Sequence, residues 1–234
     1  MTAGTVLAWV GGVVAAFLIG SLNPATAIAR LLGKDLATSG SGNPGATNAG
    51  RVLGRKWGIV VGVLDVLKGL VPTYVAGQLL GAHAAYAVGV AAVLGHVWSP
   101  FLKGRGGKGV ATTLGAILGV HPWVALVVVV VFVVAVALTR WVAAGSIFGA
   151  LAMVVVAVLI WTGHAPGDGW TALWLLAIAL NLITTGMFYD LAMRDVEIAI
   201  GAFVLAQLTA ARERSAATKE SGAAVSTVQL AGIQ

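Results

Sequence analysis

The sequence predicts an all-α membrane protein of about seven transmembrane helices, with cytoplasmic glycine-rich loops forming the site. Three observations carry this prediction. Hydrophobic residues make up 59% of the 234 and charged residues only 9%, too little polar surface to cover a water-soluble globule. Apolar stretches recur at lengths near the roughly twenty residues that a spanning helix needs. Almost every Lys and Arg falls between these stretches, and on alternate loops.

The first stretch, Val6 to Leu22, has no basic residue ahead of it, so it is read as a span and not as a secretory leader with a positive start. Further spans are expected over Trp57 to Leu80, Ala84 to Phe101, Trp123 to Leu138, Gly145 to Trp161 and Trp170 to Phe188. Val110 to Val120 is short for a crossing, and its helix is expected to start inside the glycine loop that precedes it. Residues 1–190 form one polytopic domain, 191–211 an interfacial helix and 212–234 a flexible cytoplasmic tail rich in Ala, Ser, Thr and charge.

With seven crossings, Arg30, Lys34, Arg51, Arg55, Lys56, Lys103, Arg105, Lys108, Arg140, Arg194, Arg212, Arg214 and Lys219 share one side. The opposite turns, around His83, His121 and 162–169, hold no Lys or Arg. The positive-inside rule then puts the N-terminus outside and the C-terminus in the cytoplasm. The same topology accounts for the net charge of +6, so nucleic acid is not an expected partner. The chain has no cysteine, which excludes disulfides, thiolate metal sites and an enzyme thioester. Carboxylates are few and the histidines fall on both sides, so neither a metal nor a cofactor is expected.

Two loops of one form punctuate the apolar pattern: Gly40-Ser41-Gly42-Asn43-Pro44-Gly45 and Gly104-Arg105-Gly106-Gly107-Lys108-Gly109. Both match G-x-G-x-x-G, but neither follows a strand in a βαβ unit, so a dinucleotide site is excluded. The second is not a Walker A loop, because Gly109 follows Lys108 and Leu102 holds the first glycine position. What remains is glycine backbone whose N–H groups converge on an anion, with Arg51, Lys103, Arg105 and Lys108 as countercharge. Two such cradles suggest two phosphorylated ligands. Around them lie Ser39, Ser41, Asn43, Thr47 and Asn48 in the first loop and His96 ahead of the second. Asp65 and Lys68, three apart on one helix face, read either as a paired intramembrane charge or as part of the site lining.

At these residues the chain resembles the bacterial acyl-phosphate:glycerol-3-phosphate acyltransferases, the PlsY family of small polytopic enzymes. The resemblance runs through Gly20-Ser21-Leu22, Gly40 to Asn48 with Arg51, Leu64-Asp65 and Lys68-Gly69. It resumes at Gly95-His96, Pro100-Phe101-Leu102, Gly106 to Thr112, and Thr139-Arg140-Trp141 with Ser146. It covers about the first two thirds of the chain. That family carries His-x-x-Asn-x-x-Arg after its final span, and here Phe188 and Leu191 precede Arg194 instead. Arg105 stands where the family usually has Lys.

The resemblance implies transfer of a fatty acyl group from acyl phosphate to the sn-1 hydroxyl of glycerol 3-phosphate, in phospholipid synthesis at a bacterial membrane. It assigns Lys108 and the amides of Gly106, Gly107 and Gly109 to the acyl-phosphate headgroup, with Arg105 and Thr112 beside them. Ser41, Gly42, Asn43, Thr47, Asn48 and Arg51 hold the second phosphate or orient the hydroxyl, and Ser146 completes the polar floor. His96 is a candidate general base, with the substrate phosphate as the other proton acceptor. Membrane lipids and other phospholipid-synthesis enzymes are the implied partners. Two alternatives belong to other classes: a non-catalytic lipid- or phosphate-binding paralogue that lacks the third motif, and a small-anion transporter lined by Asp65 and Lys68.

Overall fold

The computed structural model describes residues 2–184 together with Thr209 and Arg212. Apart from those two positions, the expected interfacial helix and tail lie outside the described residues, as do Phe188, Leu191 and Arg194. The chain divides into two compact units, Met1–Met187 and Phe188–Gln234.

The described residues are helical with connecting loops, and contain no strand. In order they form α1 (Ala3–Ser21), α2 (Pro24–Leu31), α3 (Ala46–Val52), α4 (Arg55–Leu80) and α5 (Ala82–Val97). A single 3₁₀ turn (Pro100–Leu102) precedes α6 (Val110–Val120), α7 (Pro122–Thr139), α8 (Val142–Trp161) and α9 (Gly169–Thr184).

Among the described residues, five segments are long and apolar enough to cross a membrane: Ala3–Leu31, Arg55–Leu80, Ala82–Leu102, Pro122–Thr139 and Val142–Trp161. Two of the seven expected spans, Val110–Val120 and Gly169–Leu182, are shorter apolar helices. Eleven residues of α6 rise only about 16 Å, half the thickness of a hydrocarbon core. This helix starts directly after the second glycine loop, with Gly109 at its N-cap, and not inside the loop as expected.

Packing follows the pattern of a bilayer protein, with many large apolar side chains outward and many small residues at the helix contacts. Leu7, Val14, Val63, Val71, Leu126, Val133 and Val155 are exposed, whereas Ala16, Ala25, Ala49, Ala92, Ala116 and Ala157 are buried. Glycine allows the closest approaches. A methyl group on Gly20 would collide with the Ala92 carbonyl, and one on Gly95 with the Phe17 carbonyl, so α1 and α5 meet backbone to backbone. Between α4 and α6, Gly69 meets the Thr112 carbonyl and Gly115 the Val66 carbonyl.

A polar cluster ties α5, α9 and the α6–α7 turn together. The Tyr86 hydroxyl lies 2.8 Å from Thr171 Oγ1 and 3.0 Å from His121 Nε2, and Trp174 Nε1 donates to the Tyr86 carbonyl at 3.0 Å. Thr171 donates to Asp168 Oδ1 through its hydroxyl at 2.7 Å and its N–H at 2.8 Å, which caps α9. Those two bonds hold the Asp168 carboxyl below its ordinary range, while burial pushes the His121 imidazole down against the opposing pull of Asp168.

Candidate active site

The first loop, residues 33–45, is closed by one buried side chain. Asn48 on α3 accepts the Ser41 N–H at 2.8 Å through Oδ1, and through Nδ2 it donates to the carbonyls of Ser39 at 3.0 Å and Leu36 at 3.3 Å. Gly40 rests on this amide with φ at +63°, and a Cβ there would strike Asn48 Oδ1. Glycine is therefore required twice, by conformation and by space. Asp35 sets the turn before it, accepting from the Ala37 N–H at 2.9 Å and from the Thr38 hydroxyl at 3.2 Å. Thr47 and Arg51 are exposed and lie one turn apart on α3, while Ser41, Gly42 and Asn43 are half-buried.

The second loop folds back along the end of α5. Ser99 accepts the N–H groups of Leu102 at 3.1 Å and Gly104 at 2.8 Å; Lys103 and Gly104 then turn through positive φ. Gly106 N–H donates to the Val97 carbonyl at 2.9 Å and Gly107 N–H to the His96 carbonyl at 3.1 Å. Both N–H groups therefore bond α5 in this structure. These glycines serve close approach: a Cβ on Gly106 would strike the His96 carbonyl, and one on Gly107 the His96 Nε2. Lys108 is half-buried and Arg105 exposed, next to the positive end of α6.

His96 is buried beneath this loop, with Nδ1 3.6 Å from Asp65 Oδ1. Lys68 Nζ lies 3.0 Å from the same carboxylate oxygen and donates to the Leu22 carbonyl at 2.7 Å. The pair expected from i,i+3 spacing therefore exists, and it reaches both the histidine and the end of α1. Thr112 is wholly buried where its carbonyl meets Gly69, and its hydroxyl has no hydrogen-bond partner. Ser146 sits on α8, which packs on α7 and α9, and its hydroxyl donates back to the Val142 carbonyl at 3.2 Å. These bonds gather loop one, loop two and His96 around the end of α1, while the Ser146 hydroxyl bonds within its own helix.

Two residues not singled out from the sequence, Ser99 and Asn23, make the joint. The Ser99 hydroxyl donates to the Ser21 carbonyl at 2.7 Å, and Asn23 Nδ2 donates to the Pro44 carbonyl of loop one at 2.9 Å. Asn23 also caps α2 by accepting the Thr26 N–H at 2.8 Å. Its signal was present as Asn-Pro, an N-cap followed by proline at the first helical position. Ser99 bonds across 78 residues, a relation that no local pattern encodes.

Comparison with known proteins adds to this geometry. The profile of the glycerol-3-phosphate acyltransferase family matches residues 10–215. The glycerol-3-phosphate acyltransferase of Trichlorobacter lovleyi is 43% identical over 167 residues, covering 71% of this chain and 82% of the relative. That of Geobacter sulfurreducens is 49% identical over 139 residues, covering 59% and 72%. The crystal structure of PlsY (YgiH), an integral membrane glycerol 3-phosphate acyltransferase, in its glycerol 3-phosphate form superposes with a TM-score of 0.72 at 32% identity. It covers 83% of this chain and 93% of that one. The lysophosphatidic acid form gives 0.68 at 35% identity, covering 76% and 88%. With two glycine loops joined at one helix end and a profile that spans most of its length, this chain belongs to the glycerol-3-phosphate acyltransferase family.

Proposed function

We propose that this chain transfers an acyl group from acyl phosphate to the sn-1 hydroxyl of glycerol 3-phosphate, forming lysophosphatidate and inorganic phosphate. The observation that carries it is the joining of two basic, glycine-rich loops through Ser21, Leu22 and Asn23, in a family whose related crystal structures hold glycerol 3-phosphate or lysophosphatidic acid. The hydroxyl oxygen bonds to the acyl carbon while the carbon–oxygen bond to phosphate breaks. Phosphate is already a good leaving group, so holding both ligands in register supplies most of what catalysis needs.

Lys108 and the N-terminus of α6 bind the acyl-phosphate headgroup, with Arg105 at the rim. The amides of Gly106 and Gly107 shape this pocket by bonding α5. Ser41, Gly42, Asn43, Thr47 and Arg51 hold glycerol 3-phosphate, while Asn48 keeps loop one in the required form. His96 has one ring nitrogen toward Asp65 and the other against Gly107, which supports a substrate phosphate as the proton acceptor and His96 as a support for loop two. Ser146 on α8 completes the polar floor of the site.

The enzyme lies in a bacterial cell membrane with its N-terminus outside and its site and C-terminus cytoplasmic. A short α6 fits seven crossings if the second loop lies below the membrane surface. Non-helical backbone is tolerated at that depth where protein groups satisfy it, as the Val97 and His96 carbonyls of α5 do for the N–H groups of Gly106 and Gly107. Membrane lipids and other phospholipid-synthesis enzymes are its neighbours. The test is lysophosphatidate formation from palmitoyl phosphate and labelled glycerol 3-phosphate. Binding of glycerol 3-phosphate without product would identify a non-catalytic paralogue, and uptake into proteoliposomes a transporter.

A further inference from the structure

Between Ser21 and Pro24 the first membrane segment breaks, and the break leaves backbone carbonyls without helical partners. In a continuous helix the Leu22 carbonyl would bond the N–H four residues on, but the Thr26 N–H is held by Asn23 Oδ1. The Leu22 carbonyl instead accepts from Lys68 Nζ at 2.7 Å, and the Ser21 carbonyl from the Ser99 hydroxyl at 2.7 Å. Inside a membrane protein such carbonyls must be satisfied by protein groups.

The two partners of this arrangement point to different loops. On one side, Lys68 holds Leu22, and the next residue, Asn23, holds the Pro44 carbonyl of loop one. On the other, Asp65 binds Lys68 and faces His96 Nδ1, while the His96 carbonyl and ring meet Gly107 of loop two. Lys68 and Asp65 are both buried. Burying two charges is costly, and replacing such a pair with apolar groups is often neutral for stability, so stability alone is a weak reason for it.

We infer that Lys68, supported by Asp65, is a positioning residue that fixes the spacing between the two glycine loops by holding the Leu22 carbonyl at the break between α1 and α2. This rests on the acyl-transfer reading for its effect on rate. Neither residue of the pair is among those assigned above to the two ligands. Its loss therefore lowers kcat, through misplacement of two separately bound substrates, more than it raises either KM.

The experiment compares Asp65→Asn/Lys68→Met with Asp65→Asn/Lys68→Gln. Both doubles are uncharged, and they differ in whether residue 68 keeps a donor for Leu22. Nitroxide labels at Thr38→Cys in loop one and Arg105→Cys in loop two report the spacing, and no native cysteine competes for them. In unlabelled enzyme the Met double is expected to lose about tenfold or more in kcat, with both KM values within about threefold. Its label–label distance distribution broadens, and the Gln double recovers part of both readouts. A folded Met double with unchanged kcat and an unchanged distance distribution would overturn the inference. Equal losses in the Gln and Met doubles would also overturn it, by assigning the effect to charge. The distance measurement is independent of turnover, so a wild-type chain that forms no lysophosphatidate, yet loosens in the Met double, would sink the reaction and bear out the spacing role.

Discussion

His96 meets its surroundings through three atoms: Nδ1 faces Asp65, Nε2 lies against Gly107 and the carbonyl holds the Gly107 N–H. A methyl at residue 107 has no room beside that ring. Gly107→Ala is therefore expected to destabilise the protein by about 1–3 kcal/mol through overpacking, read as a lower thermal midpoint in detergent. Asn48 has a comparable role in loop one, where three backbone groups depend on its amide. Asn48→Ala leaves them unpaired, and a loss of about 1–3 kcal/mol is expected, with faster proteolysis within residues 36–41 as the check. Lys108→Ala removes the charge proposed to stabilise the departing phosphate, and turnover should fall by about 10²–10³-fold in a steady-state assay. What the residue scale hid was the use of the glycines. Composition marks Gly106 and Gly107 as special, but it cannot tell an amide open to phosphate from one folded onto a neighbouring helix.

Among elements, α4 and α6 meet through Gly69 and Gly115, each against the other helix's backbone. Gly115→Val pushes these helices apart and carries the second loop with α6. Less folded, monodisperse protein on size-exclusion chromatography is the expected result. The α5–α9 cluster predicts a pH dependence. The folded imidazole of His121 titrates below its ordinary 6.5 because burial disfavours its charge, so the unfolded chain binds that proton more readily. Its stabilisation is present above pH 6.5 and is lost as pH falls below it. The thermal midpoint should drop from about pH 7 to pH 5, and His121→Gln should flatten that drop. Long spans were legible because a bilayer demands unbroken apolar runs, whose limits matched α4, α7 and α8 closely. Helices α2 and α3 were not, since eight and seven residues beside a glycine loop leave too short a period to read. For that reason Thr47, Asn48 and Arg51, expected in a loop, stand on a helix that turns Asn48 inward and leaves Thr47 and Arg51 outward.

For the whole molecule, the cysteine-free sequence makes the orientation directly testable. In intact cells a membrane-impermeant maleimide should label Thr162→Cys, whereas Thr38→Cys should react only in inverted vesicles; both positions are exposed. The reverse pattern would contradict the N-terminus-outside reading. The family was legible from motifs in the first two thirds of the chain, and the profile match over residues 10–215 extends past that portion. The joint at Ser21, Leu22 and Asn23 was not, because Lys68, Ser99 and Pro44 reach it from remote parts of the sequence. The most direct test of the central claim is lysophosphatidate formation by purified protein given palmitoyl phosphate and labelled glycerol 3-phosphate, with Lys108→Ala alongside. Product formed by the wild type and nearly absent from the variant is the predicted result. A folded wild type that forms none, or a variant that matches it, would contradict the account.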